Sequence, residues 1–274
     1  MLKKMLFFIV AISVCSSLFG QRQSDFRWQS DNQGGVIITD YVGTNRNIMI
    51  PEAIDRMPVT AIGDSAFKEK QLTAVAIPSS VIYIGNAAFM DNRLTSFIIR
   101  DSVTSIGQDA FRNNQLARIE IPVSVNFIGQ NAFRNNHLTV INIPNSITII
   151  ESGVFAENRL SDRNFIPNSV ISIGELAFSG NRFEGVFIPD SVREIKSAAF
   201  SNNNLTQIRI GANVLLEDDV FGTDYLFNNT YINVGMLEGL YFIRRNNETT
   251  VWELQQQGRT VPAGEVLPRS DNSL

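Results

Sequence analysis

The chain has 274 residues, of which 44% are hydrophobic and 18% are charged, and its formal net charge is −4. With 23 Lys and Arg against 27 Asp and Glu, it lacks the basic excess with which proteins neutralise nucleic-acid phosphates, so we expect no nucleic-acid partner. His137 is the single histidine, which excludes a histidine metal cluster and a histidine-based catalytic triad.

The first twenty residues have the pattern of a secretory signal peptide. Lys3 and Lys4 precede an apolar run over residues 5–14, small residues follow, and the chain turns polar at Gln21. The run is too short to span a bilayer. We therefore predict that residues 1–20 are a signal peptide cleaved after Gly20. A buried N-terminal helix is the alternative.

Cys15 is the single cysteine and lies inside this segment. It could be a lipidation site, although Val14 is a poor match for the small residue expected before one. After cleavage at Gly20 the mature chain has no cysteine, and therefore neither disulfides nor a thiol nucleophile.

Residues 21–47 do not repeat and are predicted to form an N-terminal cap. Phe26 and Trp28 belong to one strand-like run and residues 36–38 to another, with turn-forming residues 31–35 between them. This pattern predicts a β-hairpin. Such a hairpin would cover the apolar core at the open end of a repeat array.

From residue 48 to residue 222 one unit recurs, and its phenylalanine marks the register. Spacings of 22, 22, 22, 22, 23, 22 and 21 separate successive members of the column, which are Phe67, Phe89, Phe111, Phe133, Phe155, Phe178, Phe200 and Phe221. A fixed period of this length predicts a leucine-rich-repeat solenoid, mainly β, of about eight coils with parallel stacked strands. The Phe column should stack as a continuous aromatic spine.

Positions within a unit are counted from its Phe. The unit of Phe111 shows the full pattern, with characteristic residues Asn114, Leu116, Ile119, Ile121, Pro122, Val125, Ile128 and Gly129. The residues at +8 and +10 alternate along a short strand and point into the coil, and the proline at +11 ends that strand. The repeated glycine is predicted to mark a turn with positive φ, although Glu151 and Lys196 replace it in two coils.

An asparagine recurs at +3 in six coils, where both its donor and its acceptor can satisfy backbone groups of its own coil and of the next one. We interpret this structural ladder as Asn92, Asn114, Asn136, Asn158, Asn181 and Asn203. The one insertion falls within residues 161–165 and predicts a bulge at Asn164.

Beyond Phe221 the register ends. Residues 223–257 are predicted as a C-terminal hairpin cap with strands over 240–243 and 250–254, closed by Tyr241 and Trp252. Residues 258–274 are predicted to be a flexible tail.

The unit SVTSIGQDAFRNNQLARIEIP and its copies resemble the BspA-like bacterial leucine-rich repeats, and the ending GLYFIRRNNETTVWEL resembles the C-terminal caps of spirochaete members. The resemblance covers roughly residues 36–256. It implies a secreted or cell-surface protein, some relatives of which are adhesins for host matrix proteins or other bacteria. It implies no catalytic residues.

Side chains at +7 and +9 should point outward and line one broad sheet, which we take as the binding surface. The candidate binding residues are Ser96, Ile98, Arg118, Glu120, Val140, Asn142, Phe187, Gln207 and Arg209. We predict an exported, monomeric, non-enzymatic protein without metal or cofactor, found at the cell surface, outside the cell or in the periplasm. Its partner would be a host matrix protein or a bacterial surface protein. An envelope-associated scaffold with no specific ligand is the alternative.

Export can be tested directly. Mass spectrometry of the mature protein should find an N-terminus at Gln21, because the signal peptide ends at Gly20. An intact Met1 would contradict cleavage, and a diacylated Cys15 would show lipoprotein processing instead.

Overall fold

The fold of this chain is known from a computed structural model. The chain forms a solenoid of stacked coils with short parallel strands, and a β-hairpin closes each end, as the sequence predicts. The predicted signal peptide lies outside the described residues. These residues are 22–162, 165–222, 239–245, 250–256 and 259–261, with Phe227, Tyr231 and Met236.

The N-terminal cap begins with a 3-10 helix over Gln23–Asp25. The hairpin follows, with β1 at Phe26–Ser30 and β2 at Val36–Tyr41 in antiparallel pairing. Next come β3 (Asn47–Met49), β4 (Ala53–Ile54) and β5 (Met57–Ile62). Because β2 pairs in parallel with β5, the hairpin continues the sheet of the solenoid and covers its first coil.

Asp31 holds the hairpin turn. Its Oδ1 accepts hydrogen bonds from the backbone N–H groups of Gln33 and Gly35 at 2.7 and 2.8 Å, and its Oδ2 accepts one from the Thr60 hydroxyl at 2.7 Å. These donors favour the charged carboxylate and lower the pKa of Asp31, with the Gln33 N–H as the largest cause. The bond to Thr60 also fastens the hairpin to β5.

A complete repeat contributes two short strands, each with an inward side chain. The strands of successive coils therefore form two sheets on different sides of one core. In chain order the repeat strands are β6 (Ala74–Ala76), β7 (Tyr83–Ile84), β8 (Ser105–Ile106), β9 (Arg118–Glu120), β10 (Phe127–Ile128), β11 (Val140–Asn142), β12 (Ile149–Ile150), β13 (Ser172–Ile173), β14 (Gly185–Phe187), β15 (Glu194–Ile195), β16 (Gln207–Ile210) and β17 (Leu215–Leu216).

The C-terminal cap is a three-stranded antiparallel sheet of β18 (Gly239–Arg245), β19 (Thr250–Gln256) and β20 (Arg259–Val261). It is joined to the repeats because β18 pairs with β16. The prediction of a flexible tail from residue 258 is therefore wrong for Arg259–Val261, whose backbone extends the hairpin sheet. Residues 262–274 lie outside the described residues.

The predicted aromatic spine is present. Rings of successive repeat phenylalanines stack with centroids 5.1–5.8 Å apart and nearly parallel planes, the offset-stacked range for aromatic pairs. Tyr41 continues the spine into the N-terminal cap at 5.8 Å from Phe67, and Phe227 continues it at 4.7 Å from Phe221. The caps thus extend the aromatic core beyond the repeats.

Tyr241 and Trp252 close the C-terminal end, as predicted. Both side chains are fully buried, and the Phe227 ring lies 5.2 Å from that of Tyr241 and 5.1 Å from that of Trp252. Burial raises the pKa of the Tyr241 phenol, and the neighbouring Tyr231 raises it further.

The asparagine column forms a buried hydrogen-bond ladder. In the central coil, Asn136 Oδ1 accepts from the Leu116 N–H at 3.1 Å, while its Nδ2 donates to the Phe111 and Phe133 carbonyls at 2.9 and 3.2 Å. Each amide therefore links its own coil to the preceding one, in the opposite direction from the interpretation that it reaches the next coil. In the first coil Lys70 replaces Asn and its Nζ lies 2.8 Å from Asp40 Oδ1 in β2.

A serine ladder, which the sequence reasoning missed, runs beside it. Each hydroxyl donates to a carbonyl of the preceding coil, as Ser102 does to Val81 at 2.6 Å and Ser124 to Val103 at 2.8 Å. The signal in the sequence was a serine two residues after the strand-ending proline position. The members are Ser80, Ser102, Ser124, Ser146, Ser169 and Ser191.

The positive φ predicted for the repeated glycine is absent. Gly107 has no positive φ; its neighbours instead leave no room, since a Cβ there would lie 2.6 Å from the Asn86 nitrogen. Left-handed backbone occurs two residues before and two after the Phe, as at Asp109 with φ 55° and Asn113 with φ 57°. Many of these positions carry Asn or Asp, which tolerate this conformation better than other residues with side chains.

The ladder gives a stability prediction. Asn136→Ala should lower the free energy of unfolding by about 1–3 kcal/mol, because it leaves buried backbone groups without partners. Asn203→Ala should cost less, since Asn203 is half-buried and Asn136 is only 3% exposed. Denaturant unfolding measures both, with the exposed Asn126→Ala as control. Losses for Asn136 no larger than for Asn126 would contradict a structural ladder.

Candidate functional site

The outward side chains at +7 and +9 of each repeat form one surface, the strand face. One part of it is the pair β9 and β11, in which Arg118 lies opposite Val140 and Glu120 opposite Asn142. All four side chains are exposed, whereas the alternating Ile119 between them is buried. The alternation predicted from sequence is therefore present at this pair.

Polar groups at this pair are available to a ligand. Within the described residues, the side chains of Arg118, Glu120 and Asn142 make no hydrogen bond or ion pair. A guanidinium, a carboxylate and an amide thus stand side by side on a paired backbone, together with the half-exposed Val140. This arrangement offers donors and acceptors of both charges next to an apolar contact.

A second part of the strand face lies on β14 and β16. Phe187 is opposite Arg209 there, and Gly185 is opposite Gln207. Arg209 is exposed, whereas Phe187 and Gln207 are half-buried. On its other side β16 pairs with β18 of the cap, so this part adjoins the C-terminal sheet.

Ser96 and Ile98 are exposed but do not lie in a strand. The expectation of one broad sheet is therefore wrong, because the strand face is divided into β3–β6, β9–β11 and β14–β16. The inward residue between Ser96 and Ile98 is Phe97, whose ring lies 4.7 Å from that of Phe111. A ring is larger than the Val or Ile found at +8 in other coils, which gives a physical reason for the interruption. The bulge predicted at Asn164 lies outside the described residues.

The sequence reasoning also missed the outward side of the second sheet, formed by β7, β8 and β10 and continued by β12, β13, β15 and β17. The sequence signal for this surface was the presence of large apolar side chains in the one or two residues before the inward Ile at +17. Those that are exposed by 46–64% are Ile82, Phe127, Ile149, Ile171 and Leu215. The molecule therefore presents two different outward surfaces.

The repeat pattern and this fold agree with a known family. A model of the BspA type leucine-rich repeat region, with six copies, matches residues 60–168 and 162–238. The chain belongs to the BspA type leucine-rich repeat family. Comparison with curated proteins gives no match. BspA type repeats form a scaffold of stacked coils, which is the architecture described above.

Solved structures with this architecture come from several bacteria. The pneumococcal vaccine antigen PcpA is 18% identical over 73% of this chain and 67% of its own, with a TM-score of 0.53. A leucine-rich repeat protein from Eubacterium ventriosum is 23% identical over 73% of this chain and 62% of its own, with a TM-score of 0.50. One from Bacteroides ovatus is 23% identical over 74% and 68%, with a TM-score of 0.48.

Nothing in the described parts of the chain forms a helix that could cross a membrane. The same residues contain no group of three or more His, Cys, Asp or Glu side chains arranged to hold a metal ion.

Proposed function

We propose that this BspA type repeat protein is exported and binds a protein ligand, a host matrix protein or a bacterial surface protein, through its strand face. The observation that carries the proposal is the β9–β11 pair, where Arg118, Glu120 and Asn142 are exposed with no partner among the described residues. The export part rests on the signal-peptide pattern of residues 1–20.

Rigidity favours this surface as a binding site. The backbone of β9 and β11 is held by strand pairing, and in the same two coils the Asn114 and Asn136 amides bond to backbone groups of the preceding coils. A ligand therefore immobilises side chains but no backbone, which reduces the entropic cost of association.

Composition also favours it. Arg and aromatic residues are enriched at energetic centres of protein interfaces, and the strand face carries Arg118 on β9 and Phe187 on β14. The two lie on either side of the coil with the insertion at residues 161–165, so we propose that a protein ligand spans that coil. Close charges of both signs, at Arg118 and Glu120, would give orientation and specificity.

The variant Arg118→Ala/Phe187→Ala tests this surface. It should weaken binding of the protein ligand at least about tenfold, because it removes a charge and an aromatic contact. The ligand would first be captured from host matrix and bacterial surface fractions with the mature protein, then measured by surface plasmon resonance. Thermal unfolding must accompany the measurement, since Phe187 is half-buried.

The matched control is Arg193→Ala, which removes an exposed arginine from the second side of the solenoid. It should leave affinity unchanged. If Arg193→Ala weakened binding and the double variant did not, the ligand would bind on the second sheet, and the proposed strand face would be contradicted. Failure to capture any protein from either fraction would favour the envelope scaffold.

A further inference from the structure

A cleft lies on the second sheet, on the other side of the core from the proposed protein-binding surface. Its volume is about 250 Å³. That is less than the roughly 300–1,000 Å³ of pockets that enclose a drug-sized ligand. The cleft is lined by Asn86, Gln108, Phe127, Gly129, Gln130 and Glu151.

The cleft lies where the second sheet is interrupted. Where two coils meet in this sheet, the residue at the repeated glycine position usually donates its N–H to the inward Ile carbonyl of the preceding coil. Gly129 does so to Ile106 at 2.8 Å, and Gly174 to Ile150 at 2.7 Å. Among the described residues, Glu151 makes no such bond to Ile128, and β10 does not pair with β12. The two coils therefore separate at this edge.

Glu151 stands at this junction in place of the repeated glycine. Lys196 replaces the same glycine two coils later, yet its N–H still bonds to the Ile173 carbonyl at 2.9 Å. A side chain at this position is thus compatible with a closed sheet. Among the described junctions of the second sheet, only the one at the cleft combines an open edge with a carboxylate in place of the glycine.

Two polar side chains in the cleft have no partner. The Gln130 amide and the Glu151 carboxylate make no hydrogen bond within the described part of the chain. Gln108 stands at the same repeat position as Gln130, one coil away at roughly 4.8 Å; its Nε2 donates to Asp109, which leaves its Oε1 as an acceptor. Asn86 is engaged on both sides of its amide, through Asp64 and the Gln108 N–H.

The apolar wall is Phe127, which is 46% exposed. Its ring has no aromatic neighbour among the described residues, so a face remains open to a ligand. The ring lines the same cleft as the Gln108 and Gln130 side chains. An exposed ring beside amides and a carboxylate suits a flat ligand with hydroxyl groups around its edge and C–H groups on its faces.

We propose that this cleft binds an uncharged saccharide. One sugar ring would lie against Phe127, and its hydroxyls would donate to Glu151 and exchange hydrogen bonds with Gln130. A hydroxyl of the neighbouring ring would donate to Gln108 Oε1. The lining contains no cation, and Glu151 would repel sulfates and uronic acids, so the ligand is a neutral glycan.

The free polar groups set the size of the ligand. Gln130 and Gln108 stand one coil apart, at about 4.8 Å, which matches two adjacent sugar rings. Hydroxyl groups both donate and accept, so they suit the Gln130 amide, the Gln108 oxygen and the Glu151 carboxylate together.

Titration of the mature protein with neutral trisaccharides tests the proposal. The probes are cello-, chito-, malto-, manno- and xylotriose, compared with a sulfated heparin trisaccharide, and the readouts are saturation-transfer NMR and calorimetry. At least one neutral probe should bind with a Kd of about 1 mM or tighter, and the heparin probe should not bind because Glu151 repels it.

Phe127→Ala and Gln130→Ala should each weaken that binding about tenfold, through loss of the ring contact and of the amide pair. Both side chains are exposed, so thermal unfolding should be unchanged. Phe187→Ala is the matched control, since it removes an aromatic ring from the strand face and should leave saccharide affinity as it was.

The proposal is overturned if no neutral trisaccharide binds, if the heparin probe binds best, or if Phe127→Ala leaves affinity unchanged. It is also overturned if Phe127→Ala instead abolishes capture of a protein ligand, because the cleft would then belong to a protein interface. These outcomes are separate from those of Arg118→Ala/Phe187→Ala, so either site can fail without the other.

Discussion

The side-chain amide of the repeat asparagine is the interaction on which the solenoid depends. A short coil exposes backbone groups to the apolar interior at its tight turn, and in water-free surroundings each unpaired group is costly. Asn114 supplies an acceptor to the Leu94 N–H and a donor to the Phe89 carbonyl of the preceding coil. Because that partner is always one coil away, the amide fixes coil spacing as well as turn geometry.

Other features follow from this fixed spacing. It places the Phe rings within stacking distance and brings each Ser hydroxyl to a carbonyl of the coil before it, as at Ser124 and Val103. It also brings coils so close that Gly107 has no space for a Cβ. The outward residues are then held on a stiff frame, which suits both the proposed protein-binding face and the proposed saccharide cleft. The inward positions of every coil are restricted to residues that fit the core, whereas the outward positions are not. The two surfaces can therefore carry different side chains on the same frame.

The sequence predicted the solenoid, the hairpin caps, the aromatic spine and the outward direction of Arg118 and Glu120, because these follow from a strict period and from strand alternation. It did not predict the second sheet, whose two-residue strands are too short to show alternation. It also misassigned the glycine, since crowding by a neighbouring coil and positive φ favour the same residue. The interruption at Ser96–Ile98 and the opening beside Glu151 depend on how one coil fits the next, which periodicity alone does not show.

Native-state hydrogen exchange tests the central claim, that the buried amides hold the coils together. The Leu94, Leu116 and Leu138 N–H groups, which donate to Asn side chains of the following coils, should exchange only through global unfolding. Thr148 is the residue before β12, and among the described residues neither its N–H nor that of Glu151 donates a backbone hydrogen bond across the open junction. These two N–H groups should exchange much faster. Equal rates for the two sets would contradict the account, because the Asn ladder would then give its backbone partners no more protection than an open sheet edge.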